Sequence, residues 1–246
     1  MDSHVIRLVA VDMDGTLLTS DKRILPETSQ AIAEAVEFGI CIVLATGRAV
    51  AEIKDYCNAL APVVYGITES GGLIYNFREE SVIWRHSFNM SMKEAIVFAS
   101  MKEDVLLQAM QGGSVFMEKG CLEKLYRYRV DHFSKLFRDS CVFVPDIRKH
   151  ILRNDTMIEK INFYHTDSEA RNRSRKRLVP SGMETAYSEY TSLEISPPGV
   201  SKGDAVLRLS ELLHIPTEEV AAIGDSDNDL SMLRSVEVPV DRKSVV

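Results

Sequence analysis

Asp12 and Asp14 stand two residues apart, directly after the apolar run Leu8-Val9-Ala10-Val11. Two carboxylates that close repel each other unless a positive charge lies between them, and a divalent cation bound through oxygens meets that need. One acid of such a pair can attack an electrophile while the other moves its proton. A third acid, Asp225, follows the apolar run Val220-Ala221-Ala222-Ile223 inside Gly224-Asp225-Ser226-Asp227-Asn228-Asp229. Three carboxylates make a hard-cation set of the kind Mg2+ prefers, with waters and substrate completing an octahedron. Thr46 offers a hydroxyl, Gly47 an amide that no side chain obstructs, and Lys202 a mobile positive charge at a helix start. Such a set can clamp a phosphoryl group, whose transfer depends mainly on positioning and charge neutralisation.

These residues need elements that bring them to one place. The run Leu8–Val11 reads as a buried strand, and Gly15 permits the sharp turn after it. Pro26 suits the first turn of a helix, Ile32, Ala35 and Val36 form its inward stripe, and Gly39 suits its C′ position. Ile40-Cys41-Ile42-Val43-Leu44-Ala45 is continuous and apolar, as in a strand covered on both faces, and it ends in Thr46-Gly47-Arg48. Val63 to Thr68 is a third strand, opening into Glu69-Ser70-Gly71-Gly72, and Val200 to His214 has helical spacing. Polar tips on successive strands predict an α/β fold with a Rossmann-like, doubly wound parallel sheet and one active edge.

The middle of the chain has another character. Short strands are expected at Val82–Arg85, Val115–Glu118, Lys160–Tyr164 and Met183–Tyr187, with helices over Met92–Met110 and Ser168–Leu178. This predicts a discontinuous core of residues 1–81 and 189–246, with an α+β domain of residues 82–188 inserted into it.

Composition excludes several function classes. Hydrophobic residues at 45% and charged residues at 26% are ordinary for a globular protein, and a net charge of −7 argues against a nucleic-acid partner. The basic run Arg171–Arg177 reads as a solvated helix face, with Thr166 and Glu169 as its capping box. Cys41, Cys57, Cys121 and Cys141 are widely spaced and read as buried reduced thiols. His86, His132, His150 and His165 lack metal-ligand spacing. No run is long enough to span a membrane, and the opening Met1-Asp2-Ser3-His4 lacks a signal pattern, so a cytoplasmic location is expected.

Taken singly, each motif is weak. An Asp-x-Asp after a strand is commonly a loop or N-cap acid, and Lys202 alone reads as a surface lysine. In order, however, Asp12-Met13-Asp14-Gly15-Thr16-Leu17-Leu18, Thr46-Gly47-Arg48, Lys202 and Gly224-Asp225-Ser226-Asp227-Asn228-Asp229 resemble the four motifs of the haloacid dehalogenase-like (HAD) phosphohydrolases. Within them the chain resembles the Cof-type branch, which carries an inserted C2-type (class IIB) cap.

The resemblance implies a Mg2+-dependent phosphomonoester hydrolase acting on a small phosphorylated metabolite, such as a sugar phosphate, through an aspartyl-phosphate. Asp12 would be the nucleophile and a metal ligand. Asp14 would move the proton and lend its backbone carbonyl to the metal. Thr46, Gly47 and Lys202 would hold phosphoryl oxygens, and Asn228 would orient Lys202 or touch the phosphate. Asp225 would ligate Mg2+ directly, Asp229 would support the metal site, and Arg48 would meet substrate or cap. The cap would select the alcohol, with Trp84, Tyr126, Arg127, Tyr128 and Arg129 as candidates. A phosphomutase of related architecture and a non-catalytic phosphate-sensing protein are the alternatives. No nucleic acid and no membrane enter this reading, and a monomer or weak homodimer is expected.

The chain departs from the family pattern twice. Ser70-Gly71 stands where relatives carry Asn-Gly, and only 17 residues follow Asp229. The second departure predicts that the last layer of the core is missing and a sheet edge is exposed.

Overall fold

The computed structural model describes residues 5–242, so Met1-Asp2-Ser3-His4 and Lys243-Ser244-Val245-Val246 lie outside the described residues. In chain order the strands are β1 (Leu8–Asp12), β2 (Cys41–Ala45), β3 (Tyr65–Thr68), β4 (Leu73–Asn76), β5 (Ser81–Arg85), β6 (Val105–Gln111), β7 (Ser114–Glu118), β8 (Cys141–Val144), β9 (Lys160–His165), β10 (Glu184–Tyr187), β11 (Ser192–Ser196), β12 (Val220–Gly224) and β13 (Val238–Asp241). The α-helices are α1 (Pro26–Glu37), α2 (Met90–Ser100), α3 (Ser134–Ser140), α4 (Ile147–Ile151), α5 (Ser168–Leu178), α6 (Lys202–Leu212) and α7 (Leu230–Arg234). They form two compact units. The first takes the chain up to Arg48, Ile53–Trp84 and everything from Val200 onward; the second takes Ala49–Glu52 and Arg85–Gly199.

The first unit is built on a sheet of order β13-β12-β1-β2-β3-β4-β5. Its first five strands are parallel, and β4 returns antiparallel to β3. The doubly wound α/β core expected from the sequence is present, with an antiparallel margin. Alternation along each strand serves two layers. Leu8, Ala10, Val43 and Ala45 pack with Val206 and Leu209 of α6 and Met232 of α7, while Val11, Ile42 and Leu44 pack with Ile32 of α1. α1 begins at Pro26, whose fixed φ and missing N–H suit a first turn, and Gly39 follows its end at φ +84°. α6 is capped by Ser201, whose Oγ accepts from the Asp204 N–H, and this puts Lys202 in the first turn.

The second unit is a six-stranded sheet of order β10-β11-β9-β6-β7-β8, antiparallel except for the β7–β8 pair. Ile96 and Val97 of α2, Ile147 and Ile151 of α4 and Leu178 of α5 cover one face through Leu107, Ala109, Ile161 and Phe163. Ala49–Glu52 joins this unit because Ala51 N–H donates to the Gly113 carbonyl (2.8 Å) and the Glu52 carboxylate accepts from Gln108 Nε2 (3.2 Å).

Several expectations need correction. The helix foreseen over Met92–Met110 is two elements, α2 and the central strand β6, because a fully buried run such as Val105–Met110 has no period to separate strand from helix. Val82 to Trp84 pair into the first sheet, and β11 pairs with β9 and β10, so the joins fall at Trp84/Arg85 and Gly199/Val200 and not at 81/82 and 188/189. The cap of α5 is Asp167, which accepts from the Ala170 N–H, and not Thr166. Cys57 is exposed and Cys41 and Cys141 are half-buried, so only Cys121 is a buried thiol. The sheet also continues past the last acidic motif: β13 lies parallel to β12, so a further strand is present where the last layer was expected to be missing, and the exposed edge falls on β13. Among the described residues no helix is long and apolar enough to cross a membrane.

Candidate active site

Asp12 ends β1, Thr46 follows β2, Glu69 follows β3 and Asp225 follows β12, so parallel strands deliver all four to the C-terminal edge of the first sheet. Asp12 is 4% exposed. Its Oδ1 accepts from Lys202 Nζ at 2.6 Å, while its Oδ2 is buried without a hydrogen-bond partner. Burial above all, with the negative charges of Asp229 and Asp14, pushes the Asp12 carboxyl up to about 6 against the pull of Lys202. Carboxylate oxygens of Asp12, Asp225 and Asp229 lie within 4.8 Å of one another. An orphaned buried oxygen beside two further carboxylates fits a divalent cation.

Lys202 is not the mobile charge expected from its position in the sequence. Its side chain is 1% exposed and also donates to Asp229 Oδ1 at 2.7 Å. Burial alone would lower its pKa, but the two carboxylates outweigh that and raise it, so it is a fixed cation. Asp229 Oδ2 accepts from the N–H groups of Asp225 and Ser226 and from the Ser226 hydroxyl. Gly224 lets Asp229 sit this close, since a Cβ there would stand 2.5 Å from the Asp229 Cβ. Gly15, at φ +93°, makes the same room for Asp225: a Cβ there would meet Asp225 Oδ2 at 2.6 Å. Thr16 Oγ1 donates to Asp225 Oδ1 at 3.2 Å.

Asp14 is held from the other side. Arg48 grips it with Nε on Oδ2 (2.7 Å) and Nη2 on Oδ1 (2.8 Å), and Lys22 Nζ adds a third bond at 2.7 Å. Burial would raise this carboxyl, but the hydrogen bonds and charges of Arg48 and Lys22 prevail and hold it at about 2. The two members of the opening pair are therefore split in character, one pushed towards neutrality and one fixed as an anion.

A short turn braces Thr46 and the start of α6. Glu69, Ser70 and Gly71 take φ of +56°, +60° and +101° in succession. Glu69 N–H donates to the Arg48 carbonyl (2.9 Å) and Ser70 N–H to the Thr46 carbonyl (3.1 Å). Gly71 lies against the start of α6, where a Cβ would stand 2.2 Å from the Ser201 carbonyl oxygen. Thr46 is buried, and its Oγ1 accepts from the Arg48 N–H, which leaves the hydroxyl proton to donate.

The family model described as haloacid dehalogenase-like hydrolase matches residues 9–241. The chain belongs to this family. The resemblance drawn from the motifs is borne out, and with it the reading of the chain as a phosphatase-type enzyme. A Streptococcus pyogenes serotype M6 protein provisionally named a phosphatase is 30% identical and matches over 96% of this chain and 86% of its own. The Bacillus subtilis protein named 5-amino-6-(5-phospho-D-ribitylamino)uracil phosphatase is 25% identical over 93% of this chain and 80% of its own. A solved HAD subclass IIB sugar phosphatase, 19% identical, covers 97% of this chain and 90% of that one with a TM-score of 0.78, and so shares the fold.

In this HAD-family chain the first unit brings Asp12, Asp14, Thr46, Arg48, Lys202, Asp225 and Asp229 together. Asn228 is exposed, and its Oδ1 shares the single Ser226 hydroxyl proton with Asp229 Oδ2; the orienting partner of Lys202 is Asp229. The sequence reading missed Lys22, Thr16 and the left-handed turn. Thr16 carried a signal in its place inside the first motif, and the turn carried one in Ser70-Gly71, which stands at the family's Asn-Gly position. The specificity candidates are scattered. Trp84 packs in the first unit with Arg208 over its ring, Arg127 and Tyr128 are tied to Asp104, Arg129 lies over Tyr190, and Tyr126 is exposed.

Proposed function

We propose that the chain is a Mg2+-dependent phosphomonoester hydrolase for small phosphorylated metabolites, working through an aspartyl-phosphate on Asp12. The observation that carries the proposal is the state of Asp12: one oxygen is fixed on a buried lysine, and the other is buried with no partner. Thr46 and Lys202 hold phosphoryl oxygens, with the Gly47 amide beside them. Asp14, once Arg48 and Lys22 let it go, protonates the leaving alcohol and then takes the proton of the attacking water. Asp12, Asp225 and the Asp14 carbonyl would hold Mg2+, and Asp229 supports that site through Lys202 and the Asp225–Ser226 backbone. The metal, when bound, neutralises the carboxylates and the transferring phosphoryl group.

The second unit is the C2-type cap and selects the alcohol. A relative named for a phosphoribitylamino-uracil substrate supports a small organic phosphate as the substrate class. The phosphomutase and phosphate-sensing alternatives gain no support from any contact of the site. Hydrolysis of p-nitrophenyl phosphate in Mg2+ and in EDTA, followed by a panel of phosphorylated metabolites, tests the proposal. Turnover that needs Mg2+ supports it, and turnover equal in EDTA contradicts it.

A further inference from the structure

The basic run Arg171–Arg177 lies on α5 in the second unit, and none of its residues belongs to the carboxylate site. The structure divides the run into two faces. Arg173 and Arg177, four residues apart, both close on Glu103 at 2.7 and 2.6 Å and hold its carboxyl at about 2. That face carries an acid between its two arginines and is compensated in part.

Arg171 and Arg175, also four apart, take the other face. Their guanidinium carbons stand 3.8 and 5.2 Å from the centroid of the Tyr187 ring. Arg171 Nη1 donates to the Glu189 carbonyl, Arg175 Nε donates to Thr185 Oγ1, and the Tyr187 hydroxyl donates to Asn172 Oδ1. None of these acceptors is a carboxylate, so both guanidinium charges remain uncompensated by an acid. Arg171, Asn172, Arg175, Lys176 and Tyr187 border an open cavity of about 490 Å3, completed by Val179 and Pro180. No acid lines it, in a chain whose net charge is −7.

The chemistry of this cavity specifies its occupant. Its polar walls offer N–H donors and positive charge, and a phosphate dianion supplies acceptors and compensation. Each guanidinium is already fixed by a hydrogen bond and by stacking on Tyr187, so little side-chain freedom is lost when an anion binds. Val179, Pro180 and the Tyr187 ring add an apolar floor, which free phosphate cannot use. We propose that this cavity is a second anion site, one that takes a small organic phosphate with a flat or apolar substituent.

Phenylphosphonate, a non-hydrolysable aryl dianion, titrated by calorimetry into the full chain in EDTA tests this. Without a divalent cation the acidic site repels the probe, so saturable binding reports the basic cavity. The proposal expects one site per chain, weakened about tenfold or more in the Arg171→Gln/Arg175→Gln double variant and by added salt. Asp12→Asn should leave it unchanged, and methylphosphonate, lacking the ring, should bind less tightly. Lys176→Glu serves as a second variant should the double variant fail to fold. Absence of saturable binding, equal affinity in the variants, or loss of binding in Asp12→Asn would overturn the proposal. So would capture of single-stranded RNA by this face with no binding of phenylphosphonate.

Discussion

Asp229 holds Lys202 with one carboxylate oxygen and the Asp225–Ser226 backbone with the other. The last acidic motif and the helix-borne lysine are thereby one unit, with Asp12 as the lysine's second partner. Asp229→Ala removes one partner of a fully buried ion pair and strands two backbone N–H groups. The expected loss is about 3–5 kcal/mol of stability, read by urea unfolding. Asp229→Asn, which keeps an acceptor, should lose less. Equal stabilities of wild type and Asp229→Ala would contradict the linkage.

Asp12 makes the metal-free protein sensitive to pH. Its carboxyl is raised to about 6 in the folded state, so folding binds a proton that the unfolded chain releases near its ordinary pKa of about 4. This contribution to stability is complete below about pH 4 and is lost as the pH rises through about 6. In EDTA the melting temperature should fall across that window in the wild type and not in Asp12→Asn, and Mg2+ should remove the fall. Parallel curves for the two proteins would reject the assignment. Asp14 and Glu103, both held at about 2, titrate below the window.

A carboxyl fixed at about 2 carries no proton at neutral pH, so in the role proposed for it Asp14 can act as an acid only after Arg48 and Lys22 release it. Arg48→Ala should let the Asp14 pKa climb back towards the ordinary carboxylate range, measured by carbon-13 NMR of labelled aspartate. An unchanged titration would show that Arg48 does not set the charge of Asp14.

The turn at Glu69-Ser70-Gly71 gives a sharper test of backbone geometry. Ser70 sits at φ +60°, where a side chain costs roughly 1 kcal/mol relative to glycine. Ser70→Gly should therefore stabilise the fold, and Ser70→Asn should do so more weakly, since Asn tolerates this region better. Gly71→Ala meets the Ser201 carbonyl and must displace the start of α6, and Lys202 with it. Its kcat should fall about tenfold or more, because a displacement of this kind misplaces the lysine proposed to hold a phosphoryl oxygen. Full activity in Gly71→Ala would remove the turn from the account.

Some of this was legible in the sequence for physical reasons. Strand tips were readable because Leu8–Val11 and Ile40–Ala45 are continuous apolar runs that end in polar residues, and Ser168–Leu178 has the bounds of α5. β6 was not readable, because an unbroken buried run carries no period. The third Arg48–Asp14–Lys22 partner was hidden as well: Lys22 reaches Asp14 across a loop with left-handed backbone at Lys22 itself, and no spacing rule encodes that approach. Lys202 read as mobile because sequence shows a charge and not its burial, and its immobility follows from the two acids that close on it.

The central claim is that Asp12 is phosphorylated during turnover, and the most direct measurement is to trap that species. An Asp14→Asn variant incubated with Mg2+ and p-nitrophenyl phosphate should transfer phosphate to Asp12 but hydrolyse it slowly, for want of the base. Acid quenching, borohydride reduction and peptide mass spectrometry should then find the reduced acyl-phosphate product at position 12, and none in an Asp12→Asn control whose turnover has dropped by about 10³-fold or more. Turnover without any label at position 12, or a label on another residue, would contradict the account.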